Sequence, residues 1–115
     1  MEDALKEIGW DDFSKIEMRV GTIISAEVFS EAKKPAYKLM IDFGKYGVRK
    51  TSAQITKQYK AEEVVGKQVV AVLNFPPKQI ANILSECLIL GAVGDENAVT
   101  LLTTERCVEN GLRVG

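Results

Sequence analysis

The stretch "RKTSAQITKQY", residues 49–59, holds one of two serines placed like nucleophiles, Ser52, and the other is Ser85. A serine attacks only when a neighbouring base takes its proton, and neither has such a partner in sequence. The chain contains no histidine, so the usual base near neutral pH is missing. No glycine-rich phosphate loop, G-x-S-x-G elbow or paired-carboxylate motif is present. Glu62 and Glu63 are adjacent, which turns them apart on a helix. Cys87 and Cys107 lie 20 residues apart with no second pair, which excludes ordinary zinc spacing. Two reduced thiols are the expectation, with no catalytic residue, metal or cofactor.

Binding chemistry is better represented. Net charge is −1 over 115 residues, but it is unevenly spread. Residues 31–60 carry eight basic residues against Glu31 and Asp42, a local +6, which leaves −7 elsewhere. Lys33, Lys34, Lys38, Arg49 and Lys50 could form a basic face for an anionic partner, or could simply solvate exposed strands. Single-stranded nucleic acid also needs aromatic platforms. Aromatics are only 7%, and Tyr37, Phe43 and Tyr46 suit core or hairpin packing equally well. The stretch "NFPPKQI" offers a different surface. Asn74 can donate and accept, while Phe75, Pro76, Pro77 and Ile80 make a rigid apolar rim for an extended peptide or a base. The alternative is that the prolines only end a strand and Phe75 packs inward.

These residues need a scaffold. Leu5 and Ile8 predict a short amphipathic helix over 3–8, with Asp11 and Asp12 as caps ahead of Phe13. Period-two alternation from Met18 to Phe29 predicts a long strand, with a bulge or bend at Gly21. In a second strand Tyr37, Leu39, Ile41 and Phe43 face inward, and "GKYG" turns into a third strand from Val48. "YKAEEVVGK" reads as a short helix ended by Gly66, and "KQVVAVLNF" as a fourth strand buried on both faces. "NFPPKQIAN" reads as a loop, "LSECLILGAV" as a fifth strand, "GDENA" as a turn and "VTLLTT" as a short strand. A last turn falls at Asn110–Gly111.

Three strands, a short helix and two more strands predict an all-β five-stranded Greek-key barrel, the OB-fold, rather than an SH3-like barrel. The whole chain, 1–115, is expected to be one domain, with a helical extension over 1–15 and a C-terminal extension over 94–115. The acidic start "MEDALKEIGWDDF" is unlike a signal peptide, and no run is long enough to span a bilayer. A cytoplasmic protein without membrane insertion is expected.

"NFPPKQIANILSECLILG", "SAQITKQY" and "RVGTIISAE" closely resemble the CsaA-type secretion chaperones, over about Phe13 to Gly115. These are part of the wider tRNA-binding-domain family, which includes free-standing tRNA binders and C-terminal appendices of methionyl- and tyrosyl-tRNA synthetases. The resemblance implies an OB barrel and a homodimer with the flanking segments in its interface, including Leu5, Ile8, Trp10 and Phe13. It implies capture of unfolded or precursor polypeptides for the export machinery, with tRNA as the alternative ligand. The family's pocket stretches fall on Ser52, Ala53 and Gln54; on Asn74, Phe75, Pro76, Pro77 and Lys78; and on Ser85, Glu86, Cys87 and Leu88. Cys87-Leu88 stands where tRNA binders favour Gly-Met, and Lys34-Pro35-Ala36 where they often read Asp-Lys-Leu. These departures, with Gln54 and Phe75-Pro76, favour a peptide over tRNA.

Overall fold

The computed structural model describes residues 4–115. Residues 4–9 form no regular element, and one turn of helix follows, α1 (Trp10–Ser14). The described part of the expected 3–8 helix is therefore not helical, because two apolar residues with no surface to pack on cannot offset the cost of nucleation. Asp11 and Asp12 lie inside the first turn of α1 rather than ahead of it. The Asp12 carboxylate reaches back and accepts the Gly9 N–H at 3.0 Å.

The long strand is β1 (Met18–Val28). Its second half pairs with β2 (Tyr37–Asp42) and its first half with β4 (Gln68–Val72). β3 (Val48–Ala53) pairs with β2, and β7 (Leu88–Ile89) pairs with β4. The sheet order β3-β2-β1-β4-β7 curls into a nearly closed five-stranded barrel of the expected OB type. The register slip lies between Ile23 and Ser25, not at Gly21. Gly21 serves close packing instead: a Cβ there would stand 2.6 Å from the Phe43 ring.

Tyr37, Leu39, Ile41 and Phe43 all face the core, as their alternation predicts. α2 (Ala61–Val64) plugs one end of the barrel with the fully buried Val64. Glu63 accepts the Lys60 N–H at 2.6 Å, and Gly66, at φ +93°, turns the chain out of α2.

Two further expectations are corrected. "NFPPKQIAN" is not all loop, because β5 (Lys78–Ile80) and β6 (Ile83–Ser85) form a hairpin turning at Ala81–Asn82. Nor is "LSECLILGAV" one strand: β6 pairs with β5, β7 with β4, and β8 (Gly91–Val93) with β9 (Val99–Leu101). The same extended run meets three partners, a division set by tertiary contacts and not by local propensity.

The C-terminus returns to the start of β1. Val20 N–H donates to Leu112 at 3.0 Å and Val114 N–H to Met18 at 2.9 Å. Glu17 is bonded to Arg19 at 2.8 Å and to Arg113 at 2.9 Å. Chiefly through the Arg19 hydrogen bond, its carboxyl is held below the usual range. Among the described residues, no helix is long and apolar enough to cross a membrane.

Candidate binding groove at the barrel seam

The barrel closes at one point. Lys50 accepts the Glu86 N–H at 2.8 Å, and its own N–H donates to the Glu86 carboxylate at 3.1 Å. Beneath this junction Thr51 is almost fully buried. Its hydroxyl donates to the Cys87 carbonyl at 2.8 Å and lies 2.7 Å from the Ser85 hydroxyl. These bonds tie the residues before β7 to β3 at one end only. Beyond them the two strands part.

The seam opens into a groove of about 500 Å³. Ser52, Ala53, Gln54 and Ile55 line one side, and Cys87 to Gly91 line the other. Lys78 and Ile80 come from the β5–β6 hairpin, and Val93, Val99 and Leu101 from the β8–β9 hairpin. A second groove of about 490 Å³ runs on from Ser52, Gln54 and Ile80 to Lys33, Lys34 and Gln79. Ser52 and Gln54 thus stand where two grooves meet. The walls are mainly apolar with a few hydroxyl and amide groups, the mixture that small binding sites use.

Eight residues marked in the sequence meet here: Ser52, Ala53, Gln54, Lys78, Ile80, Ser85, Cys87 and Leu88. The others do not. Asn74 lies outside both grooves and holds the N-terminal segment. It accepts the Glu17 N–H at 2.9 Å and donates to the Lys15 carbonyl at 2.7 Å. Phe75, Pro76 and Pro77 are exposed and lie outside both grooves. Glu86 serves the Lys50 junction.

The basic face divides in the same way. Arg49 points off β3 opposite Lys50 and donates to the carbonyls of Leu73 at 3.0 Å and Glu86 at 3.3 Å, so it braces the barrel. Lys38 is paired with Glu27 at 3.1 Å and lies over the Phe29 ring. Lys33, Lys34 and Lys50 remain exposed. Tyr37, Phe43 and Phe29 are buried, and Met40 sits exposed in the middle of the β2–β3 face. Among the described residues, no aromatic platform for stacked bases stands there.

Cys87 is buried, and that burial pushes its thiol up to about 12, so it stays protonated and inert. Cys107 is exposed. No cluster of metal-ligating side chains occurs among the described residues. In the N-terminal segment Leu5, Ile8 and Trp10 project into solvent, Trp10 with 88% of its surface exposed, while Phe13 is half-buried.

Residues that the sequence reading missed are Ile55, Ile89, Leu90, Val99 and Leu101 in the groove wall, and Thr51 beneath it. The continuous apolar run "CLIL" carried a signal for Ile89. Nothing local marked the β9 residues, which arrive by folding back.

The tRNA binding domain family model matches residues 18–113. The crystal structure of chaperone CsaA from Bacillus anthracis str. Ames is 44% identical, covers 96% of this chain and 100% of its own, and superposes with a TM-score of 0.92. The CsaA chaperone protein of Picrophilus torridus is 50% identical over 95% of this chain and 100% of its own, with a TM-score of 0.88. A methionine–tRNA ligase of Methanocella arvoryzae is 40% identical over 99% of this chain. The chain spans only 16% of that enzyme's length.

Proposed function

Because the chain belongs to the tRNA-binding-domain family, and within it to the CsaA type, we propose that it is a chaperone holding unfolded or precursor polypeptides for export in the groove between β3 and β7. The observation behind this reading is the lining. Ile80, Leu88, Ile89 and Leu101 supply apolar walls, and Ser52, Gln54 and Ser85 supply hydrogen bonds without a fixed charge. Such a site accepts many side chains and selects for exposed chain.

The working form in this proposal is a cytoplasmic homodimer. Leu5, Ile8 and Trp10 expose apolar surface that a second copy would cover. Two grooves on one dimer would raise avidity for a long client. The ligase activity of the longer relatives is not carried over, and no catalysis is proposed.

The test is the double variant Leu88→Asp, Ile80→Asp, titrated with a permanently unfolded, fluorescently labelled polypeptide. Losing two partly buried aliphatic contacts of about 1.5–3 kcal/mol each when fully buried should weaken binding at least tenfold. Unchanged affinity in a folded variant would refute the reading.

A second reading, binding of tRNA, is supported by the family match and by exposed Lys33, Lys34 and Lys50. It predicts that Lys33→Glu, Lys34→Glu, Lys50→Glu abolishes tRNA binding.

A further inference from the structure

β3 is the edge strand of the five-stranded sheet. Its Lys50 turns both N–H and C=O away from β2, toward Glu86. Backbone groups in an antiparallel ladder alternate in direction, so Ser52, two residues on, turns its N–H and C=O the same way. There the chain on the far side has already parted, and these groups face the groove. The Ser52 carbonyl receives only a long 3.4 Å contact from the Thr51 hydroxyl. Among the described residues its N–H has no ladder partner.

Most of the charges around this edge are positive. Lys33 and Lys34 stand in the adjoining groove and Lys78 on the seam side. None of the three forms an ion pair among the described residues. Among the described residues, Glu31 is the only carboxylate lining either groove.

We infer that the Ser52–Gln54 edge of β3 takes up an extended polypeptide by strand addition, with its apolar side chains in the groove and its acidic flanks against these lysines. This rests on the polypeptide-binding reading and specifies how the chain is held. An exposed strand edge offers main-chain hydrogen bonds to any sequence, and alternate side chains then meet the groove wall. Affinity thus comes largely from backbone, as a chaperone with varied clients requires. The free edge is only a few residues long and carries polar Ser52 and Gln54, which limits edge-to-edge aggregation.

The test uses a labelled seven-residue peptide of alternating valine and threonine with an aspartate at each end. Two further versions carry N-methyl groups on one or the other alternate set of amides. Side chains and charge are the same in all three. The parent peptide should bind and slow hydrogen exchange at the Ser52 amide at least tenfold. One N-methylated version should lose at least tenfold in affinity, and the other should retain it. Equal binding of all three with no protection of Ser52 overturns strand addition and leaves polypeptide binding standing. Failure of the parent peptide together with unfolded polypeptide overturns both. Ser52 protection that rises with protein concentration in the absence of peptide assigns the edge to a second copy and also overturns the inference. Exchanging the aspartates for lysines should weaken binding several-fold, and unchanged affinity would refute the charge match.

Discussion

Replacing Asn74 with alanine separates a structural role from a binding role. The Asn74 amide makes two hydrogen bonds, from the Glu17 N–H at 2.9 Å and to the Lys15 carbonyl at 2.7 Å. Both span more than fifty residues of sequence and fasten the chain between α1 and β1 to the end of β4. Each such bond contributes about 0.5–1.5 kcal/mol net, and the side chain is exposed, so the lower half of that range applies. Asn74→Ala should therefore cost about 1–2 kcal/mol. For a domain of this size that is a fall in Tm of roughly 5 °C. Chemical denaturation and a thermal melt measure it, and the Glu17 amide should exchange faster. Affinity for an unfolded polypeptide should change less than twofold, because Asn74 lines neither groove. A tenfold loss of affinity at unchanged Tm would refute this and return Asn74 to the site.

Gly21→Ala places a Cβ 2.6 Å from the Phe43 ring and 2.7 Å from Ile41, both fully buried, and should destabilise by about 1–3 kcal/mol in a denaturant titration. Ala81 sits at φ +48° in the β5–β6 turn, so Ala81→Gly should stabilise by up to about 1 kcal/mol, and a lower denaturation midpoint would contradict the strain. Iodoacetamide at pH 8 should alkylate Cys107 and leave Cys87 untouched in the folded protein, as read by mass spectrometry. Because burial raises the folded Cys87 thiol to about 12 from 9.0, its contribution is fully present below pH 9. It falls as pH climbs from 9 toward 12, where the unfolded thiol ionises first. Stability should drop more steeply over that window in the parent than in Cys87→Ala, and parallel curves would refute the assignment.

Much of the barrel is legible in the sequence because its strands carry their own period. Tyr37, Leu39, Ile41 and Phe43 alternate into the core, and Gly44 and Gly47 mark the turn that follows, both at positive φ. The bulge escaped because Gly21 advertised a backbone irregularity and in fact makes room for Phe43. The 84–93 run looked like one strand because its residues share one propensity, while its three pairings depend on partners elsewhere in the chain. In the groove, Ser52, Gln54, Ile80 and Leu88 were visible as small, polar or apolar groups flanking turns. The structural bonds of Asn74 and Arg49 were not legible, because a polar side chain looks the same in sequence whether it binds a ligand or a distant carbonyl. The wall from Val99 and Leu101 follows from the β8–β9 fold-back and had no local marker.

In the proposed function the seam groove holds polypeptide. This is tested most directly by titrating an unfolded precursor and tRNA at about 50 and 200 mM salt, a range over which phosphate-driven binding falls steeply. Groove capture predicts precursor binding that changes only a few-fold across this range and is lost in Leu88→Asp, Ile80→Asp. Tight tRNA binding that collapses with salt, with no binding of the precursor at either concentration, would contradict it.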